Sequence, residues 1–156
     1  MSASRHEELR KKLPVLKKEI NKRSIKSNRE YHSYGQKYFD LIIIPRYLTN
    51  QNRYQSDFCK MTGLSKDVYR ELRGGGNKLK VKNERTLLKV AFGLGITYEE
   101  AFYLFDFFGK NLYTDDPAIE AIDSILDELD NLPNDLSPEM RIVIMGDYLK
   151  EKGLII

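Results

Sequence analysis

Lys66, Asp67 and Arg70 lie within five residues of Ser65, and Glu71 follows directly. On a helix opened by Ser65, Lys66, Asp67 and Arg70 share a face. Arg70 could place two donors on guanine, and Asp67 could accept from the exocyclic amine of cytosine. Gln55 could meet a phosphate or an adenine, and Ser56 could join helix-terminal amides in holding a second phosphate. Arg73, Lys78, Lys80 and Lys82 follow on a basic, glycine-rich stretch. Such a group neutralises a phosphate backbone, which adds affinity without sequence information. Each residue also has a plainer reading. Lys66 and Arg70 suit a solvated helix face, and Asp67 can pair with Arg70 inside the helix.

Other chemistries find no support. His6 and His32 have no Cys, Asp or Glu at metal-ligand spacing, and His6-Glu7-Glu8 is not a zinc-protease arrangement. The single cysteine, Cys59, excludes an internal disulfide and a cysteine-rich zinc site, and its place in a packing face suits a small hydrophobe. Gly74-Gly75-Gly76 lacks the Lys-Ser/Thr of a phosphate-binding loop. Asp115-Asp116 and Asp127-Glu128 have no calcium-loop spacing. The expectation is a protein that is not an enzyme and takes no cofactor or metal.

The elements that must position these residues are helical. Gln55 to Gly63 reads as a short helix started by Gln55 or Ser56 and ended by Gly63. Ser65 caps the next, Lys66 to Leu72 or Arg73, and the glycine triplet stops it. Phe58, Met61, Leu64, Val68 or Tyr69, and Leu72 form the inward set. Two helices this short need supports on either side. Residues 35–50 supply one, kinked or restarted at Pro45, although Ile42 to Ile44 could stand alone as a short strand. Glu84 to Leu94 supplies another. A fourth helix begins at Thr97, where Glu100 completes a capping box, and ends at Gly109. Asn77 to Asn83 is a basic loop. Two further helices are expected from about Pro117 to Leu129 and from Ser137 to about Lys152.

The stretch from Gln55 to Gly75 resembles the helix-turn-helix of the lambda-repressor/Cro-like (Xre) family. Gln55, Gly63, Ser65, Leu72 and Gly75 stand in the family's register. Thr86-Leu87, Ala91, Leu94-Gly95-Ile96-Thr97 and Glu100-Ala101 match the segment that follows it. The resemblance covers about residues 36–113. It implies a compact all-α helical bundle in which the Lys66–Arg73 helix enters the major groove of double-stranded DNA. The implied function is a sequence-specific transcriptional regulator of the kind common on mobile elements, binding as a homodimer. The chain departs from the family in its long basic loop, in Pro45 within the first helix, and in acidic Asp67 and Glu71 on the reading helix. The same fold also serves as a protein-interaction module, antitoxin-like or a phage adaptor, without sequence-specific DNA binding.

The 156 residues divide by charge. Residues 1–33 carry 10 Lys/Arg against 4 Asp/Glu, residues 34–113 carry 13 against 8, and residues 114–156 carry 3 against 11. A polyanion should therefore meet the first two thirds, with the acidic end turned away or free for a protein partner. The expected parts are a basic N-terminal arm or helix (1–33), the helix-turn-helix domain (34–113) and an acidic helical extension packing on it (114–156). Leu9, Leu13, Leu16 and Ile20 form a short apolar stripe, but Pro14 interrupts it. The expected helix therefore starts at Pro14 and runs to about Ser27, the alternative being a solvated basic arm. In the last helix Ile142, Ile144, Met145, Leu149 and Leu154 to Ile156 offer a dimer surface, or else close the monomer's own core. The apolar runs are too short to span a bilayer, the basic N-terminus lacks a secretory apolar region, and the lone cysteine suits a reducing compartment, so a cytoplasmic location is expected.

Overall fold

The computed structural model describes residues 3–75 and 83–154, and every regular element among them is helical. The first helix, α1 (Ala3–Ile25), runs straight through Pro14. It starts well before the position where Pro14 would open a helix. The reason is tertiary. Leu9 and Ile20 are buried on either side of the proline, with Leu13 and Leu16 packed between them. That continuous stripe holds both halves of the helix on the body. Pro14 itself is exposed, so the carbonyl it leaves without a donor, that of Arg10, can be met by water. Residues 3–25 are therefore a docked helix rather than a solvated arm.

The second helical stretch comprises α2 (Tyr34–Tyr38), a π turn (Phe39–Ile43) and α3 (Ile44–Tyr47). Ser33 caps it by accepting from the Gln36 amide at 3.2 Å. The Ile44 N–H reaches back to the Phe39 carbonyl, the wider π step, just before Pro45. Pro45 thus sits at the first turn of a restarted helix, where its missing N–H costs little. The carbonyl of Leu41, four residues before Pro45, accepts from Arg23 Nη1 of α1 at 3.2 Å. The same run packs Phe39, Ile42, Ile43 and Ile44 into the core as a helix, not as a strand.

The remaining helices are α4 (Tyr54–Thr62), α5 (Lys66–Arg73), α6 (Glu84–Leu94), α7 (Tyr98–Phe107), α8 (Pro117–Asp127) and α9 (Pro138–Glu151). Asn83 caps α6 and Thr97 caps α7 through the capping box with Glu100. Helix α7 stops at Phe107, two residues short of Gly109, and α8 tightens into a 3-10 turn (Glu128–Asn131) instead of running on to Leu129. Helix α6 lies at the centre, against α4, α7 and α9, and its residues Leu87, Leu88, Val90, Ala91 and Phe92 are fully buried. Gly93 is what lets α4 approach. A Cβ there would meet the Met61 carbonyl at 2.6 Å and Thr62 Cα at 2.7 Å. Arg141 of α9 donates to the carbonyls of Phe92 (2.7 Å) and Gly93 (2.8 Å) at the end of α6. One core joins all three charge segments, from Leu9 and Ile20 through α6 and α7 to Met145 and Leu149. No helix among the described residues is long and apolar enough to cross a membrane.

Candidate nucleic-acid interface

Helices α4 and α5 meet across residues 63–65. Gly63 ends α4 in the left-handed region (φ 73°), which a side chain there would disfavour, and its N–H bonds the Cys59 carbonyl at 2.9 Å. The Thr62 hydroxyl bonds back to Phe58 O and accepts from Leu64 N, fixing the turn from inside. Ser65 then caps α5 by accepting from the Val68 amide at 3.2 Å. The 3-10 turn Gln51–Arg53, capped by Asn50, leads directly into α4, so α4 opens at Tyr54 rather than at Gln55 or Ser56. Phe58, Tyr69 and Leu72 are buried, with Met61, Leu64 and Val68 half-buried around them. The inward residue of the Val68/Tyr69 pair is therefore Tyr69, whose ring lies 5.1 Å from that of Phe58 and 6.3 Å from that of Phe39.

What faces outward is Lys66, Asp67 and Arg70, all exposed, with Ser65 and Ser56 exposed beside them and Gln55 half-buried in the first turn of α4. Arg70 and Asp67 form a loose i,i+3 pair at 3.9 Å, well exposed on both sides, which is worth little energetically. Asp67 and Lys66 sit in the first turn of α5, and Arg70 one turn on. These three side chains share one outer surface. Cys59 is half-buried and its thiol is pushed up by burial, which fits a packing role. Lys78, Lys80 and Lys82 lie outside the described residues.

Arg73 does not stand with the outward cations. Its Nε donates to Asp40 of the π turn and its Nη1 to the Tyr69 hydroxyl at 3.2 Å. Burial alone would lower the Arg73 pKa, but the hydrogen bond and charge of Asp40 outweigh it and raise it. Asp40 is only 5% exposed and also accepts from the Tyr31 hydroxyl, with Arg29 Nε at 3.6 Å. Burial, reinforced by that acceptor, pushes Tyr31 up to about 12. The same clamp continues along the backbone. Arg29 Nη2 donates to Gly74 O at 3.0 Å, Gly75 N to Glu30 O at 2.8 Å, and buried Gln36 donates through Nε2 to Glu71 O at 2.8 Å. The last turn of α5 is thereby tied to the segment that links α1 to α2. Gln36 and Asp40, spaced i,i+4 within an apolar helix, were the legible sign of this network, since two polar residues on a buried face need partners.

Two further buried carboxylates tie helices together away from α5. Glu100 receives Arg46 and Tyr47 as well as its own capping contacts with Thr97. Asp123 receives the Tyr98 hydroxyl and His6 Nε2, the latter at 2.9 Å. His6 is therefore part of the seam between α1 and α8. Among the described residues no group of three His, Cys, Asp or Glu is placed to hold a metal ion.

No known family, no characterised protein and no solved structure matches the chain. The geometry of the site is a short helix with an exposed, mixed-charge outer face, rigidly backed by an aromatic core and held at its end by a buried ion network.

Proposed function

We propose that this chain is a sequence-specific double-stranded DNA-binding transcriptional regulator in which α4 and α5 act as a helix-turn-helix of the lambda-repressor-like kind. The observation that carries the reading is the outer face of α5. Lys66, Asp67 and Arg70 project from its first two turns while Tyr69 and Leu72 hold its inner face. A helix presented in this way can lay its N-terminal turns in a major groove. Arg70 supplies the bidentate donor for guanine, Asp67 an acceptor for cytosine, and Lys66 a further donor. Gln55, Ser56 and Ser65 lie where the flanking phosphates would pass. The excess of Lys and Arg in residues 1–113 suits a polyanion, and the acidic residues 114–156 would be turned from it. Binding as a homodimer to a two-fold site belongs to the same proposal, as does a cytoplasmic location.

A second reading is a protein-interaction module on the same fold. Asp67, 76% exposed, and the neighbouring Glu71 favour it, because acid on the reading face opposes phosphate.

Titrating a fluorescent mixed-sequence duplex across a salt series, with the parent and with Lys66→Ala and Arg70→Ala, tests the first reading. Steep salt dependence in the parent, and at least about tenfold weaker binding in Arg70→Ala, are expected. No retention of the duplex by the parent, together with a defined complex with a protein, would move the function to the second reading.

A further inference from the structure

Among the described residues four large hydrophobic side chains are exposed: Val15 (71%), Ile25 (83%), Met140 (47%) and Val143 (56%). All four sit on two helices, and on the outer crest of each. On α1 they fall in the row Val15, Lys18, Lys22, Ile25, spaced 3-4-3, with Lys11 one turn before it. On α9 they fall in the row Met140, Val143, Asp147, Glu151, spaced 3-4-4. Each row keeps to one face of its helix over about three turns, and the two bear opposite charge. The apolar stripe expected to carry dimerisation is not this one. Met145 and Leu149 of that stripe are buried in the chain's own core, and Ile142 and Leu154 pack against it.

The crest charges are uncommitted. Lys12 pairs with Glu99, Arg23 with Glu19, and Arg5 with Asp127 and Asp130, all on the flanks of α1. Lys11, Lys18 and Lys22 have no ion pair among the described residues, and neither have Asp147 and Glu151. Open grooves of about 740 Å³ and 530 Å³ border Val15, the second also lined by Lys18, Lys22 and Ile25. A phosphate track would use the lysines but leave Val15 and Ile25 in water, and it would leave the α9 crest unexplained.

We propose that the α1 crest of one copy docks on the α9 crest of a second copy, apolar side chains meeting in the groove and Lys18 and Lys22 facing Asp147 and Glu151. The contact joins two unlike surfaces. Made twice across a two-fold axis it closes a dimer, and made once per copy it builds a larger ring or chain. It uses no residue of α5: a strictly monomeric chain would remove the two-fold site from the proposed function but leave the base contacts of α5 standing, and loss of DNA binding would leave the contact between copies standing.

Charge exchange in the full-length chain tests it. Lys18→Glu with Lys22→Glu makes one variant, Asp147→Lys with Glu151→Lys the other, and all four sites are exposed, so folding should persist and is checked by circular dichroism. Sedimentation equilibrium of the parent should give a mass above the 18.2 kDa monomer that falls on dilution and at high salt. Each variant alone should associate at least about tenfold more weakly, and an equimolar mixture should recover the parent's association, because each reversed crest then meets a complementary one. A strictly monomeric parent would overturn the proposal. So would association indifferent to both variants, variants that fail to rescue each other, or α1 reversal that changes only the salt dependence of DNA binding.

Discussion

Arg73 Nε donates to Asp40, joining the last turn of α5 to a π turn that precedes it by 33 residues in sequence. The pair is the centre of a clamp that includes Arg29, Tyr31, Gln36 and the carbonyls of Glu71 and Gly74. It fixes the angle at which α5 presents its outer face, and so separates residues that would read a ligand from residues that hold the reader.

That separation is measurable. Arg73→Ala should cost about 2 kcal/mol of stability, because Asp40 stays buried without its main partner while Arg73 itself is partly solvated. Asp40→Ala should cost somewhat more, about 3 kcal/mol, since it strands two guanidinium groups and a hydroxyl. Lys66→Ala and Arg70→Ala should change stability by no more than about 0.5 kcal/mol. Urea denaturation of the four variants checks this, and an Arg73 variant as stable as the parent would remove the clamp.

Gly93→Ala probes how closely α6 meets α4. The added methyl would press on the backbone of Met61 and Thr62, which cannot rotate away. A loss of about 2 kcal/mol is expected from thermal or chemical unfolding, with the slope of the denaturant curve unchanged.

Asp106 is half-buried, and its Oδ1 has no hydrogen-bond partner. Burial raises its pKa from the usual 3.8, only partly offset by Tyr113, Lys17 and Arg10. An acid whose folded pKa is raised costs stability above that pKa, and the cost disappears below its unfolded value. Asp106→Asn should therefore stabilise the chain at pH 7, and the gain should shrink as pH falls toward 4. Denaturation midpoints of the pair across this range provide the check, and a gain that grows with falling pH would contradict it.

At alkaline pH the order reverses. Burial pushes Tyr31 and Tyr103 up to about 12 and holds Tyr38, Tyr47 and Tyr98 higher still. A tyrosine in this state destabilises nothing below its ordinary value of 10, but stability drains as pH climbs from there toward the folded value. Absorbance titration of phenolate should show these tyrosines ionising together with loss of helical circular dichroism. Ionisation near pH 10 in a chain that stays folded would show that they are not buried as described.

Local signals were the readable part of the sequence. Thr97 with Glu100, Ser65, Gly63 and Gly95 act on backbone groups within a few residues of themselves, so the starts of α5 and α7 and the ends of α4 and α6 follow from adjacent residues. Pro14 misled for the same reason: its local rule favours a helix start, but the packing of Leu9 and Ile20 onto distant helices overrides it. Arg73 looked like a loop cation because nothing near it shows that Asp40 lies beneath it. His6 shows no partner in its own stretch of sequence because Tyr98 and Asp123 are about a hundred residues away. The outward residues of α5 were legible because a cap and a period suffice to place them.

Selection of a random double-stranded DNA library on the purified chain at near-physiological salt, followed by sequencing of the retained fraction, tests the central claim most directly. A single enriched motif is expected, with two-fold symmetry and guanine at a fixed place in each half, relaxed at that place by Arg70→Ala. Retention without enrichment, or no retention at all, would contradict it.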